Sequence, residues 1–256
     1  MSIIIAKNKV SAEELATVKT PEATESFTPI SHALLVDQMR EAIARAGYGV
    51  KEEEHALARM GQRYFGGFVI TGKDFDATDR QLVLGLRNST DKSFAASVCI
   101  GTSMIVCENL CFSSNIKLAR KHTTNILRDI PRVLSEAVGR CVSHFTDMTN
   151  RIENYKTIEL SNDEAAGLIV QLADSAALPA REVYPTMKQF RAPNHPEFAG
   201  RTLWSLYNGV TECLKSGDLN KLPARTMMMQ SIFDARSGHR PIIEAEIDKS
   251  ELVMEA

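Results

Sequence analysis

A block of β-type sequence, from about residue 48 to residue 113, constrains the fold of this chain more than any other feature. Within it, Leu82, Leu84 and Leu86 alternate with other side chains, and the polar turn sequence 88–92 leads into the apolar, β-branched run 94–107. Alternation of this kind is typical of strands with one buried face, and polar turn residues separate such strands in hairpins. We therefore predict an antiparallel β-meander over about 48–113.

Helical periodicity flanks this block on both sides. Ser31 stands where an N-cap belongs and Gly47 where a helix ends, with apolar residues at helical spacing between them. After the block, a single apolar stripe predicts one long helix that packs on the sheet, with Pro131 as its start or a kink. The stripe comprises Ile126, Ile130, Val133, Ala137, Cys141, Phe145, Met148 and Ile152.

These patterns define an α+β fold class: an N-terminal helix, an antiparallel β-meander, a long helix packed on the sheet and a C-terminal helical region. Further helices are predicted near 162–172 and 203–214, with a proline-containing loop region around 179–196 between them.

Composition divides the chain into three parts. Residues 1–30, in which large apolar side chains are few, predict a flexible N-terminal arm. Residues 31–235 predict a single α+β domain, with its sheet part at about 48–113 and its helical part at about 120–235. Residues 236–256 predict a polar C-terminal tail.

Charge and cysteine content narrow the functional classes. The formal net charge is -2, so the molecule as a whole has no electrostatic drive toward nucleic acid, and DNA binding requires a local patch. The cysteine count of 5 is odd, and without a secretory signal it predicts reduced thiols in the cytoplasm. No apolar run approaches the roughly 18 residues that a membrane span requires, so we expect no membrane association.

No residue pattern predicts a catalytic constellation. Cys99, Cys107 and Cys111 share odd parity along the chain, and His122 is near enough in sequence to be a fourth zinc ligand. The paired cysteine spacing of zinc sites is absent, however, and small buried thiols on strands explain the same residues. Cys107 is a candidate nucleophile without an identified base. We expect no metal, no cofactor and no catalytic residue, and an enzyme is the less favoured class.

One local feature favours nucleic acid. A basic strip that contains a single acidic residue, Asp129, comprises Lys117, Arg120, Lys121, Arg128 and Arg132. Such a strip can contact a phosphate backbone. Arg63 is followed by Tyr64, Phe65 and Phe68, and a cation beside aromatic rings is the combination that proteins use to bind single strands. The alternative is an ordinary basic helix face above aromatic core residues.

Four short motifs follow one another along the chain: a turn at 86–91, a run at 106–110, a Lys-His-Thr segment at 121–123 and a helix at 204–212. In this order they resemble the phage and plasmid proteins grouped as domain of unknown function 932. The residues that carry the motifs are Asn88, Asp91, Cys107, Asn109, His122, Trp204, Asn208 and Glu212. The resemblance covers about 80–215 and implies a mobile-genetic-element setting, without an activity or a catalytic residue to transfer.

Two functions from different classes are consistent with these observations. The first is a phage- or plasmid-encoded DNA-metabolism protein that binds single-stranded DNA, similar in its order of elements to ring-forming annealing recombinases and hence a homo-oligomer. The second is a non-enzymatic mobile-element protein that binds and inhibits a host defence or regulatory protein. A structural role for the motifs is also open, since Asn88, Asp91 and Asn109 suit turns and Trp204 suits a core.

Overall fold

The sheet of this protein is an antiparallel meander. The computed structural model describes residues 8–75, 80–104, 110–215, 217 and 221–240. The described strands are β1 (Lys9–Val10), β2 (Gly49–Ala58), β3 (Arg63–Thr71), β4 (Arg80–Ser89), β5 (Ala96–Met104) and β6 (Leu110–Arg120), and they lie in the order in which they occur along the chain. The predicted meander is confirmed, and it continues beyond residue 113, so Lys117 and Arg120 belong to a strand.

Residues 8–30, which we expected to form a flexible arm, add secondary structure to the edge of the sheet. β1 pairs with β2, and α1 (Ala12–Ala16) follows with a capping box between Ser11 and Glu14. The segment has few large apolar residues, but Leu15 and Ile30 are both buried in the core. Burial of these side chains stabilises a segment whose composition alone is typical of disorder.

The first core cluster lies between one face of the sheet and two helices. The predicted N-terminal helix is present as α2 (His32–Arg45), and the Ser31 hydroxyl accepts a hydrogen bond from the backbone N–H of Leu34 at 3.1 Å. α2 and α3 (Ile126–Gly139) bury their apolar faces against alternate residues of the strands, among them Tyr64 and Phe68 of β3. Pro131 lies inside α3 and does not end it.

The long helix predicted from the apolar stripe is two helices. α3 ends at Gly139, and α4 (Cys141–Thr157) begins after Arg140, whose backbone angles are φ -91° and ψ -2°. Glycine is a poor helix former because it loses more backbone freedom than other residues, so a break at this position costs little. The stripe continues across the break because α4 buries Cys141, Phe145, Met148 and Ile152.

The C-terminal region is helical, as predicted, and has its own core cluster. It contains α5 (Asn162–Asp174), α6 (Val183–Arg191), α7 (Leu203–Leu214) and α8 (Leu222–Ser237), with short 3-10 turns at Ala180–Glu182 and Pro196–Phe198. α6 lies in the region that we expected to be loop. The predicted tail begins within α8, and its residues 241–256 are outside the described part of the chain.

A buried ionic network joins α4 to α8. The Arg151 guanidinium donates to Asp234 Oδ1 at 2.9 Å and forms an ion pair with Asp147 at 2.9 Å. The Tyr155 hydroxyl donates to the same Asp234 oxygen at 2.6 Å. A ring nitrogen of His239 lies 3.1 Å from Asp147. We call these five residues the ionic cluster. Among the described residues, no helix is long and apolar enough to cross a membrane.

Candidate functional site

Polar and aromatic residues concentrate at the end of the sheet where β3 begins and β4 ends. Because successive side chains of a strand point to opposite faces, Tyr64 and its cross-strand partner Asn88 face the core, whereas Phe65 and its partner Arg87 face the other side. Two groups of residues result. The inner cluster comprises His32, His55, Tyr64, Asn88 and His122. The outer patch comprises Arg63, Phe65, Arg87, Asp91 and Phe94.

Asn88 fixes the tautomer of one histidine in the inner cluster. Its amide nitrogen donates to the backbone carbonyl of Ile30 at 2.9 Å and to His32 Nδ1 at 2.9 Å. Since a carbonyl can only accept, the nitrogen of the amide must face Ile30, and His32 Nδ1 must then be the unprotonated ring nitrogen. His32 Nε2 carries the proton and donates to the Gly61 carbonyl at 2.9 Å.

A second histidine is positioned in the same way. Tyr64 is fully buried, and its hydroxyl lies 2.9 Å from His55 Nδ1, while His55 Nε2 lies 3.3 Å from the Glu53 carboxylate. This arrangement again describes a neutral ring that accepts at Nδ1 and donates at Nε2. Glycine is required at position 66, because a Cβ there would lie 2.0 Å from the Tyr64 hydroxyl oxygen.

Burial keeps the histidines of the inner cluster neutral. It lowers the pKa of His32, against a smaller opposing effect of the Gly61 carbonyl, and it lowers the pKa of His55 against the nearby charge of Glu53. It also lowers the pKa of His122, whose ring nitrogens make no hydrogen bond of ordinary geometry within the described residues, although the Thr28 backbone lies close enough to raise that pKa slightly.

The inner cluster is enclosed, which gives it a structural role and not a catalytic one. Each of its five side chains is at most 6% exposed, and burial raises the pKa of Tyr64 well above its usual value, which makes the hydroxyl a poor nucleophile. In the described part of the chain, no group of three or more His, Cys, Asp or Glu residues is placed to hold a metal ion. The cluster instead ties α2 and the N-terminal segment to the loop ends of the strands.

The outer patch combines cations and aromatic rings. Asp91 accepts from Arg63 Nε at 2.7 Å, and the Arg87 guanidinium lies 4.8 Å from the centre of the Phe94 ring while its Nε donates to Ser97 at 2.7 Å. The ring centres of Phe65 and Phe94 are 5.8 Å apart. Arg63, Phe65, Arg87 and Phe94 are each partly exposed, so guanidinium planes and ring faces at this patch are held in place and within reach of a ligand.

This geometry changes the roles of two residues singled out from sequence. Arg63 lies at a patch of cations and aromatic rings, as expected, but Tyr64 is 0% exposed and points to the core, so it has no free ring face on which a base could stack. Phe68 is also 0% exposed, which leaves Phe65 of the three expected rings. The alternation of side chains along β3 explains the difference.

The basic strip is divided by its own acidic residue. Asp129 forms ion pairs with Arg120 at 2.7 Å and with Arg128 at 2.8 Å, and hydrogen bonds, first that from Arg128, lower its pKa. Lys121 and Arg132 are exposed. The Lys117 side chain is outside the described part of the structure. Two of the five cations are thus paired with the Asp129 carboxylate. Lys121 lies at the same end of the sheet as the outer patch.

Comparison with known proteins assigns the family. The sequence model of a family described as a domain of unknown function (DUF932) matches residues 22–240. The chain belongs to the DUF932 family. No curated protein and no solved structure matches it. The resemblance seen in the four motifs is therefore confirmed, and the match extends beyond them toward both ends of the chain.

The DUF932 motif residues converge in part. Asn88 and His122 lie in the inner cluster, and Asp91 lies in the outer patch. The backbone N–H of Thr28 donates to the His122 carbonyl at 3.0 Å, two residues before the Ile30 carbonyl that Asn88 binds, so both motif residues hold the same N-terminal segment. Cys107 and Asn109 fall outside the described residues. Three of the motif positions thus meet at one end of the sheet.

The remaining DUF932 motif lies on α7 in the helical region. Trp204 is 6% exposed and stacks on Tyr207 at 5.4 Å, so it anchors the helix in the second core cluster. The Asn208 amide donates to the Trp204 carbonyl at 2.9 Å, and Glu212 pairs with Lys215 at 3.3 Å. Asn208 and Glu212 border a small cleft that Gln189 and His195 also line. These contacts fit a structural role for this motif.

Sequence reasoning missed four residues of the site: His32, His55, Arg87 and Phe94. A signal for Arg87 was present, because the meander predicted from alternation puts Arg87 on the face opposite Asn88. Phe94 follows a turn, and no sequence rule places its ring near Arg63 and Arg87. The histidines come from α2 and β2, which the sequence does not show to be neighbours of Asn88.

Proposed function

We propose that this DUF932 protein is a DNA-metabolism protein of a phage or plasmid that binds single-stranded DNA through the outer patch. The observation that carries the proposal is the Arg87 guanidinium over the partly exposed Phe94 ring, beside Phe65 and Arg63. Proteins that bind single strands without sequence preference combine cations that follow the phosphates with rings on which bases stack.

The patch supplies both parts of such an interface. Its ring faces belong to Phe65 and Phe94, and stacking on a ring face is available to every base. Its cations are Arg63 and Arg87, and exposed Lys92 and Lys121 follow the ends of β4 and β6 at the same end of the sheet. A local patch of this kind is compatible with a net charge of -2.

Asp91 acts in this scheme as a positioning residue. It holds Arg63 through a 2.7 Å bond, and its own pKa is lowered by the hydrogen bonds of Ser93 and Arg63 in spite of partial burial, so it stays charged at neutral pH. An arginine held in one rotamer loses less conformational entropy when a ligand binds. In this scheme Asp91, a DUF932 motif residue, has two roles: it shapes its turn and it orients Arg63.

Fluorescence anisotropy with a labelled oligothymidylate at low salt tests the proposal. We expect wild-type binding at micromolar protein or below, and a dissociation constant that rises about tenfold in Arg87→Ala and in Phe94→Ala, which matches the contribution of one stacked base. The control is Arg181→Ala, since Arg181 is an exposed cation of the helical region, 80% accessible, and should bind as wild type.

A salt series separates the two variants. Loss of one phosphate contact should reduce the slope of log affinity against log salt by about 0.7 for Arg87→Ala, and loss of a ring should leave the slope of Phe94→Ala unchanged. No binding at micromolar wild-type protein and low salt would overturn the proposal. It would favour the second function, inhibition of a host defence or regulatory protein. A cytoplasmic location, assembly into a homo-oligomer and a role in strand annealing belong to the proposal as well.

A further inference from the structure

The hairpin between β2 and β3 has an unusual tip. Its four loop residues, 59–62, follow the last strand pair Ala58–Arg63, and three of them in succession have left-handed backbone angles: φ is 52° at Arg59, 54° at Met60 and 84° at Gly61. Left-handed angles cost free energy for every residue except glycine, and least for asparagine and aspartate. Tight hairpins accordingly favour Asn-Gly at such positions.

The side chain at the tip is apolar and almost completely exposed. Met60 is 99% exposed, the most exposed large hydrophobic residue in the described chain, and Arg59 beside it is exposed as well. A sequence selected only for stability would place small polar residues here. The tip therefore combines an exposed apolar side chain with a strained backbone, and the strain lowers the stability of the free protein.

The rest of the loop is held firmly. His32 Nε2 of the inner cluster donates to the Gly61 carbonyl at 2.9 Å, and the Thr90 backbone N–H donates to the Gln62 carbonyl at 2.8 Å. Val18 packs where a Cβ at Gly61 would lie, at 3.4 Å. Helix α2, the β4–β5 loop and the N-terminal segment thus fix the base of the loop. Met60 projects from a rigid support rather than from a loose one.

We propose that Met60 is a wedge that packs between nucleobases of the single strand held by the outer patch, with Arg59 against the adjacent phosphate. The inference rests on the proposed function. Arg63, the first residue of β3, belongs to the outer patch and directly follows the loop 59–62, so the tip adjoins the patch along the chain. Methionine is among the apolar residues that proteins insert between base steps, and its polarizable thioether makes favourable contacts with aromatic rings.

An oligothymidylate that carries one 2-aminopurine next to an adenine tests the wedge, because 2-aminopurine fluoresces more brightly when its neighbour no longer stacks on it. We expect wild-type protein to increase the fluorescence severalfold. Met60→Gly should lose most of that increase and bind about five- to tenfold more weakly, while its melting temperature rises by about 2–4 °C because glycine accepts the left-handed angle.

Ala176→Gly is the matched control. Ala176 also has a left-handed angle, φ 58°, but follows α5 in the helical region, so this variant should gain stability and keep both affinity and the fluorescence increase. Full affinity and full fluorescence increase in Met60→Gly would overturn the wedge and leave the proposed function intact. Absence of wild-type binding would overturn both. Arg59→Asn, which also suits the turn, should reduce the salt slope and retain the fluorescence increase.

Discussion

The inner cluster and the ionic cluster are both buried polar networks, but they satisfy their groups in different ways. The inner cluster holds neutral rings and amides, and burial lowers the pKa of each of its histidines. The ionic cluster holds full charges. Burial alone lowers the pKa of Arg151, but its hydrogen bond to Asp234 and the charges of Asp234 and Asp147 outweigh burial, so that pKa is raised.

Charged and neutral buried groups make stability depend on pH in different ways. A buried charge must keep its partner, because an unpaired charge in the interior is far more costly than an unpaired neutral group. A buried neutral histidine keeps its place only while it stays unprotonated. The pairing of Arg151 with Asp234 is therefore hardly affected by pH near neutrality, whereas the candidate functional end of the sheet is fixed by pairing that acid removes.

Removal of Asp234 should have the largest effect on stability. Asp234→Ala leaves the Arg151 guanidinium, 1% exposed, with one carboxylate and removes the acceptor of the Tyr155 hydroxyl. We expect the free energy of unfolding in urea to fall by about 3–5 kcal/mol. Glu41→Ala, which breaks the exposed pair with Arg45 on α2, is the control and should have no measurable effect. A loss below about 1 kcal/mol in Asp234→Ala would contradict the charged description of this cluster.

Removal of Asn88 should cost less, because no charge is left behind. Asn88→Ala breaks the bonds to the Ile30 carbonyl and to His32 Nδ1, and we expect the free energy of unfolding to fall by about 2–3 kcal/mol. Amide hydrogen exchange should increase at the start of α2 and in the loop 59–62, which His32 supports. Equal protection of these amides in the variant would show that the inner cluster does not hold the loop.

Replacement of His122 should change stability least at neutral pH and most in its pH dependence. Its nitrogens make no well-formed hydrogen bond within the described chain, and its ring already packs on Phe27 at 5.3 Å, so we expect His122→Phe to keep or slightly raise stability at pH 7. His32→Phe is the comparison, since it also removes a histidine but breaks two hydrogen bonds, and it should be less stable at pH 7.

The sign of the pH effect follows from the lowered pKa values. Below about pH 6.5 an unfolded histidine binds a proton that the folded one does not, so wild-type stability should fall as pH drops from 6.5 to 5. Burial lowers the pKa of His144 on α4 to about 4, which adds to the same trend. Glu53 contributes only at lower pH, because its pKa is lowered by Arg40. Chemical denaturation at pH 7 and pH 5.5 should show a smaller loss for His122→Phe than for wild type, and equal losses would refute the assignment.

Much of the fold was accessible from sequence because its signals are local. Alternation of Leu82, Leu84 and Leu86 predicted the meander, and Ser31 with Gly47 marked both ends of α2. The break at Arg140 was missed because the two helices bury residues in the same phase, so the apolar stripe does not record it. α6 was missed because prolines near both of its ends favoured a loop.

The site was accessible only in part, and the reason is also physical. The motifs identified the DUF932 family and pointed to Asn88, Asp91 and His122, which do meet at one end of the sheet. The expectation that a base stacks on Tyr64 does not fit the structure, because neighbouring positions of a strand face opposite sides of the sheet. The Tyr64 ring is buried, and the ring of the next residue, Phe65, is partly exposed. Arg120 and Arg128 were both assigned to the basic strip because the sequence shows only the order of the charges. It does not show that the Asp129 carboxylate pairs with both of these arginines.

The sequence by itself determined the alternation, the caps, the family and the α+β class, since each depends on residues that are close along the chain. Tertiary structure alone decided the tautomers of His32 and His55, the support of the tip at Met60 and the meeting of Arg87 with Phe94. Each of these depends on the distance between segments far apart in sequence, and a hydrogen bond or a ring contact exists only when both partners have been brought within a few ångströms.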